Sequence, residues 1–177
     1  MKTLLLAAAG CLAASLASAQ THQPYAGLEA RPVKSLSEQQ LADLRAGRGM
    51  GLALAAELNG YPGPAHVLEL ADQLGLSAEQ KARVGELFAA MKAEAVPLGE
   101  QLIAEEAALD GLFAGHRATP ASVAAATAEI GETQAKLRTA HLKYHLSTLE
   151  VLQPPQVQRY AELRGYGAAT TPHEHHH

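Results

Sequence analysis

The chain of 177 residues contains one cysteine and no tryptophan, and only 4% of its residues are aromatic. A single cysteine excludes an internal disulfide framework and a zinc ribbon built from several cysteines. The formal net charge of −4 provides no basic surface of the kind that nucleic acids require, so we expect no nucleic-acid partner. Outside the extreme N-terminus, no apolar run reaches the roughly 20 residues of a membrane-spanning helix.

The first 19 residues have the layout of a secretory signal peptide. Lys2 gives the start a positive charge, an apolar stretch runs from Leu4 to Leu16, and residues 17–19 form a small-residue cleavage site. A lipoprotein signal ending at Cys11 is the alternative, but it leaves a very short apolar stretch. We therefore expect cleavage before Gln20, export to the periplasm, and a processed chain with neither a membrane span nor a cysteine. Any metal site in that chain must use His, Met, Asp or Glu.

The remaining chain divides into a lead-in, one helical domain and a tail. Residues 20–35 and 167–177 show no periodic pattern of apolar side chains, and we predict flexible segments there. Residues 36–166 are rich in alanine and leucine and contain no run of alternating β-branched residues, which predicts an all-α domain.

Apolar spacing and capping signals predict two long helices flanked by shorter ones. The long helices would form an antiparallel hairpin, kinked at Pro97. Such a hairpin buries little core by itself, so we predict a bowed fold that forms a homodimer. The predicted helices cover residues 37–58, 64–74, 77 to a turn at 115–119, 120–151, and a short stretch that begins at Pro154-Pro155.

Three helix starts share the pattern Leu-x-x-x-Gln. In the first two, a serine follows the leucine and can cap the helix while the glutamine reaches back to it. In the third, Gln153 stands where the hydroxyl residue would be, and we expect it to spoil the capping box. The three pairs are Leu36/Gln40, Leu76/Gln80 and Leu152/Gln156.

This arrangement resembles the LTxxQ-motif proteins, which are the Spy/CpxP family of periplasmic chaperones and stress regulators, together with the related periplasmic heavy-metal sensors. The resemblance covers roughly residues 36–166. It departs from the family pattern because serine replaces threonine in the first two motifs, and because Gln153 and Pro155 replace threonine and glutamate in the third. It implies a curved helical hairpin, usually a homodimer. Such proteins either hold unfolded clients without ATP or report envelope stress and metals to a membrane-bound partner.

The most specific local feature is a histidine pair, His141 and His145, in the sequence His-Leu-Lys-Tyr-His. At this spacing both side chains project from one side of a helix and can share a metal ion. His141 falls on the predicted apolar seam of the hairpin, so a hydrogen-bonded packing histidine is the alternative. The glutamate that follows the first histidine of H-E-x-x-H peptidases is missing, and no nucleophile–base set is recognisable, so we predict that the protein is not an enzyme.

Two histidines do not bind a metal tightly, so further ligands must come from elsewhere in the fold or from a dimer partner. Sulfur from a methionine would favour Cu(I), whereas histidine with glutamate would favour Zn, Ni or Co. The further candidates are His66, Glu69, Met50 and Glu57. The alternatives are that Met50 is a core residue, that Glu57 and Glu69 are solvated at the surface, and that His66 is simply a residue of the turn.

The tail carries a second, compositional metal-binding tract, which we expect to bind with modest affinity. The alternative is a remnant of a purification tag. The tract contains His173, His175, His176 and His177.

Together these features predict a non-enzymatic periplasmic stress protein that binds a transition metal. Metal binding in the seam would favour one packing of the helices and so change the surface that a partner meets. The alternative is an ATP-independent chaperone for unfolded client proteins, in which metal binding is incidental.

Overall fold

The computed structural model describes residues 24–166, so the predicted signal peptide and the His-rich tail lie outside the described residues. The prediction of an all-α chain is confirmed, because residues 24–166 contain helices and no strand. Among these helices, none is long and apolar enough to cross a membrane. A 3-10 helix (Leu28–Ala30) precedes α1 (Glu38–Ala46), α2 (Leu54–Glu57), α3 (Pro64–Glu69), α4 (Ala78–Ala114), α5 (Pro120–Val151) and α6 (Pro154–Leu163).

A loop interrupts the first helical region, so the single helix predicted over 37–58 is wrong. Gly47 ends α1 with a φ of 64°, a left-handed conformation that glycine adopts without steric cost. Met50 and Gly51 also have positive φ, 43° and 84°, and the chain cannot stay helical through them.

The next helix is shorter than predicted. Pro64 occupies the first turn of α3. A backbone N–H at this position would make no intrahelical hydrogen bond, so the lack of an N–H in proline costs the helix nothing. The helix ends at Glu69 rather than at 74, and turns carry the chain on to Gly75.

Helices α4 and α5 pack side by side and run in opposite directions. The Tyr144 hydroxyl donates to the Glu94 carboxylate at 2.6 Å, and the Thr133 hydroxyl donates to Glu105 at 2.9 Å. As the residue number rises along α4, the number of its partner on α5 falls. Pro97 lies inside α4 without ending the helix.

Helix α1 meets α4 at a site that only glycine fits. A Cβ on Gly99 would collide with the carbonyl oxygen of Leu44. This close approach buries one side of α1 in a core formed with α4 and α5, whose buried members are Val33, Leu36, Leu41, Leu44, Ala95, Leu102, Ile103, Ile130 and Leu137.

The glutamines of the second and third Leu-x-x-x-Gln starts bond to each other. Gln80 Nε2 donates to Gln156 Oε1 at 2.8 Å and to the carbonyl of Val151 at 2.9 Å, and Gln156 Nε2 donates to Gln80 Oε1 at 3.0 Å. Gln156 Oε1 also accepts from the backbone N–H of Gln153 at 2.9 Å. The third start therefore keeps a capping contact that we expected to be lost. This glutamine pair ties the start of α6 to the start of α4.

Candidate metal-binding cleft

One cleft, about 560 Å³ in volume, collects all six ligands that the sequence predicts for the folded part of the chain. Its walls come from the α1–α2 loop, α2 and the start of α3 on one side, and from α4 and α5 on the other. These segments are far apart in sequence, so the fold is what brings the six side chains together. They are His141, His145, His66, Glu69, Met50 and Glu57.

His141 is buried, and its exposed fraction is 2%. Among residues 24–166, its Nε2 atom has no hydrogen-bond partner. Burial, and then the neighbouring His145, lower the pKa of His141, so its ring is neutral at pH 7. The backbone of the α1–α2 loop passes against the ring, since a Cβ on Gly49 would lie 3.7 Å from Nδ1. A neutral imidazole whose Nε2 lacks a partner is suited to accept a metal ion.

His145 is held in a defined orientation by the chain that joins α2 to α3. Its Nδ1 lies 2.7 Å from the carbonyl oxygen of Tyr61. A carbonyl only accepts, so Nδ1 of the neutral ring carries the proton, and the lone pair is on Nε2. Metal-binding histidines are commonly oriented in this way through their second nitrogen. A Cβ on Gly63 would lie 2.8 Å from Cε1 of His145, so glycine is needed for this close packing.

Glu57 is a buried carboxylate that binds several partners at once. The hydroxyls of Tyr160 and Tyr166 donate to its Oε1, the latter at 2.9 Å. The backbone N–H of Gly63 donates to its Oε2 at 3.3 Å. Arg164 Nε lies 3.5 Å from Oε1. The carboxylate therefore joins α2 to the start of α3 and to the end of α6.

The electrostatic balance at Glu57 favours its ionised form. Burial raises the pKa of Glu57, but the two tyrosine hydrogen bonds and the nearby histidines outweigh burial and hold the pKa below its ordinary value. His66 Nδ1 lies 3.5 Å from Oε1, and His145 Nδ1 lies 3.7 Å from Oε2. Glu57 is therefore a fixed negative charge beside two of the cleft histidines.

The remaining predicted ligands are accessible from solvent. Met50 is 41% exposed, so it is not the core residue that we weighed as the alternative. The side chain of His66 is 39% exposed, and Glu69 is exposed. Within residues 24–166, no three His, Cys, Asp or Glu side chains stand together as a group that could hold a metal ion.

Several residues of the cleft were missed by sequence reasoning. Met91 fits the apolar periodicity of α4 and also lines the cleft, so both methionines after Met1 reach it. Two partners of Glu57, Tyr160 on α6 and Tyr166 just after that helix, carry no sequence signal that connects them to α2. The periodicity of Met91 along α4 would have placed it on the face that meets α5, which is the wall of the cleft.

No family model, curated protein or solved structure matches the chain. Similarity to the Spy/CpxP proteins and the heavy-metal sensors stays a prediction, based on the Leu-x-x-x-Gln starts. The cleft itself is therefore the basis for inferring what the protein does.

Proposed function

We propose that the protein binds a transition metal ion in the cleft, with His141 and His145 as the central ligands, and that it has no enzymatic activity. The observation that carries the proposal is the buried Nε2 atom of His141, which has no hydrogen-bond partner in the part of the chain that the structure describes. Leaving a buried polar atom unpaired costs about 1–3 kcal/mol, and coordination would remove that cost. One helical turn away, the carbonyl of Tyr61 orients the ring of His145.

Two kinds of further ligand line the cleft, and they favour different ions. Nitrogen and oxygen from His66, Glu57 and Glu69 suit Zn, Ni or Co, whereas sulfur from Met50 and Met91 suits Cu(I). Tyr160 and Tyr166 donate hydrogen bonds to one oxygen of Glu57. We therefore expect this carboxylate to balance the charge of the ion rather than to coordinate it directly.

Metal binding would act on the packing of the helices. The cleft lies between the short helices α2 and α3 and the long helices α4 and α5, so an ion held by both walls would favour one arrangement of them. We propose that this arrangement of the helices determines which surface of the protein a partner protein contacts. The protein would be an exported, homodimeric stress protein of the Spy/CpxP and heavy-metal-sensor type, acting on a membrane-bound signalling partner.

The test is titration of Cu, Zn, Ni and Co into the chain that begins at Gln20, compared with the variant His141→Ala/His145→Ala. Both proteins carry Ala in place of the four tail histidines, so that only the cleft is measured. We expect one stoichiometric site that the double substitution removes. The control is His116→Ala, which lies at the exposed turn between α4 and α5 and should bind as the parent does. Equal binding by parent and double variant would refute the proposal.

An ATP-independent chaperone is a second candidate, and exposed leucines favour it. Leu54 is the first residue of α2 and Leu58 caps its end, and their exposed fractions are 53% and 58%. Exposed apolar groups among charges can bind unfolded clients. If this is the function, the metal-free protein suppresses aggregation of an unfolded client, and Leu54→Ser/Leu58→Ser weakens that suppression. Suppression that the leucine variant leaves unchanged would count against a client surface on α2.

A further inference from the structure

The cleft brings two methionines to its histidine pair. The chain that begins at Gln20 contains two methionines, Met50 and Met91, and both line the cleft beside His141 and His145. Met50 belongs to the loop between α1 and α2, and Met91 belongs to α4. The fold therefore places both thioether side chains around the same space of about 560 Å³ as the two imidazole rings.

Met50 has a backbone conformation that methionine rarely adopts. Its φ is 43°, and among the described residues other than glycine only His116 also has a positive φ. The side chain is 41% exposed, so burial in a core does not account for a methionine at this position. Residues held in such conformations are concentrated at sites that bind ligands. The conformation of Met50 therefore points to a role for its side chain in the cleft.

The backbone next to Met50 lies against the ring of His141. A Cβ on Gly49 would be 3.7 Å from Nδ1 of that ring, and consecutive Cα atoms are about 3.8 Å apart. The methionine side chain has three rotatable bonds, and its sulfur can cover this short distance. Met50 can therefore bring its sulfur to an ion bound by His141.

Met91 approaches the histidine pair from the other wall of the cleft. Its exposed fraction is 6%, and it packs with Leu87 and Tyr144 in a buried cluster. Tyr144 lies between His141 and His145 along α5, so Met91 is level with the pair. The two sulfurs therefore flank the histidines, one from the loop and one from α4.

The oxygen donors of Glu57 are already engaged in hydrogen bonds. Its Oε1 accepts from the hydroxyls of Tyr160 and Tyr166, and its Oε2 accepts from the backbone N–H of Gly63. Direct coordination of an ion by this carboxylate would compete with these bonds. A thioether sulfur is only a weak hydrogen-bond acceptor, so it loses almost nothing when it binds a metal ion.

We propose that the ion of the cleft is Cu(I), held by the nitrogens of His141 and His145 together with the sulfurs of Met50 and Met91. This inference rests on the proposed metal site, and it adds the identity of the ion and the source of the remaining ligands. Thioether sulfur is a soft ligand that selects Cu(I), whereas imidazole alone also suits Zn and Ni. The methionines would therefore give the cleft its preference for copper.

The test compares Cu(I) and Zn binding by the parent chain and by Met50→Leu/Met91→Leu. Both proteins begin at Gln20 and carry Ala in place of the four tail histidines. Each affinity is measured without oxygen, by competition with a chelator of known affinity for that ion. Leucine has nearly the volume of methionine, so the variant removes the sulfurs and keeps the packing. Loss of an outer-shell partner alone weakens metal binding about 10- to 100-fold, so we expect Cu(I) affinity to fall at least about tenfold. Zn affinity should stay as in the parent.

The two ions separate failure of the inference from failure of the proposed site. Unchanged Cu(I) affinity in the methionine variant overturns the inference while the histidine site stands. An equal loss of Cu(I) and Zn affinity also overturns it, because the methionines would then act through packing. If His141→Ala/His145→Ala binds every ion as the parent does, the proposed site itself is overturned. Leu54→Ala is the matched control, since Leu54 lines the cleft without sulfur and its loss should leave both affinities unchanged.

X-ray absorption spectroscopy tests the same inference without any substitution in the cleft. In selenomethionine-labelled protein that begins at Gln20, Met50 and Met91 carry the selenium atoms. We expect the Cu(I)-loaded protein to show selenium in the first coordination shell of copper, at both the copper and the selenium absorption edges. A copper shell without selenium overturns the inference.

Discussion

At the residue scale, one carboxylate holds together segments that the sequence places far apart. Glu57 is 103 residues from Tyr160 and 109 from Tyr166, yet it accepts hydrogen bonds from both. Its second oxygen accepts from the backbone at Gly63, where the chain packs on the ring of His145. Glu57 therefore supports the position of His145, a ligand of the proposed metal site, as well as the docking of α6.

Glu57→Gln should destabilise the fold although it preserves the size of the side chain. An amide has one acceptor oxygen, so it cannot accept from the tyrosines and from the backbone N–H of Gly63 at the same time. We expect a loss of about 1–3 kcal/mol in the free energy of unfolding, measured by urea denaturation. Glu69→Gln is the control, because Glu69 is exposed, and its stability should stay within about 0.5 kcal/mol of the wild type.

Tyr144 and Lys143 hold Glu94 in its charged form across the α4–α5 contact. The hydrogen bond from Lys143, and then the one from Tyr144, lower the pKa of Glu94. A lowered folded-state pKa contributes stability above the unfolded value of about 4.3, and this contribution is lost as pH falls through the folded value. Tyr144→Phe should raise the pKa of Glu94 in an NMR titration.

The same substitution should cost about 1 kcal/mol or less at pH 7, because Glu94 is half-exposed. The difference from wild type should shrink as the pH falls below about 4. A difference that grows in acid would contradict this account.

At the element scale, glycines decide how closely the helices approach. Gly99 lets the last turn of α1 reach the backbone of α4, whereas a Cβ on Gly85, in the same helix, would meet nothing within 4 Å. We therefore expect substitution by alanine to change the free energy of unfolding in opposite directions at the two glycines.

Gly99→Ala should lower the free energy of unfolding by about 1–3 kcal/mol, because the added methyl group forces α1 away from α4. Gly85→Ala should raise it by roughly 0.5–1 kcal/mol, since alanine favours the helix and has space. Thermal unfolding followed by circular dichroism measures both. Equal effects of the two substitutions would show that α1 does not approach α4 as described.

The Leu-x-x-x-Gln starts differ in what their glutamines do. Within residues 24–166, the side chain of Gln40 bonds only to the backbone of its own cap, whereas Gln80 also bonds to Gln156 and to the carbonyl of Val151. Gln80→Ala should therefore cost more stability than Gln40→Ala, by about 1–2 kcal/mol in chemical denaturation. Equal losses would mean that the contact with α6 contributes nothing.

The sequence predicted the helical class and the start of each long helix, because periodicity and caps are local signals. It did not predict the break after α1, although three closely spaced glycines, Gly47, Gly49 and Gly51, occur there. Gly47 packs against α4 and Gly49 against His141 on α5, and these contacts between distant segments are not visible in a linear pattern. The bonds between Glu57 and α6 were missed for the same reason.

At the scale of the whole molecule, a metal ion in the cleft would stabilise the complete fold. An ion that binds only the folded state at 100 times its dissociation constant adds about 2.7 kcal/mol to the free energy of unfolding. We expect the preferred ion to raise the melting temperature of the wild type, a chelator to reverse the rise, and His141→Ala/His145→Ala to show none. A metal that raises both melting temperatures equally would be acting outside the cleft.

The glutamine pair also has a consequence for the order of folding. Gln80 and Gln156 are 76 residues apart, and closing a loop of that length in an unfolded chain carries a large entropic penalty. Once α4 packs against α5, the start of α4 and the end of α5 already lie close together. Most of the entropic penalty has therefore been incurred before the two glutamines bond. We therefore expect the glutamine pair to form after the rate-limiting step, so that its loss speeds unfolding and leaves the folding rate nearly unchanged.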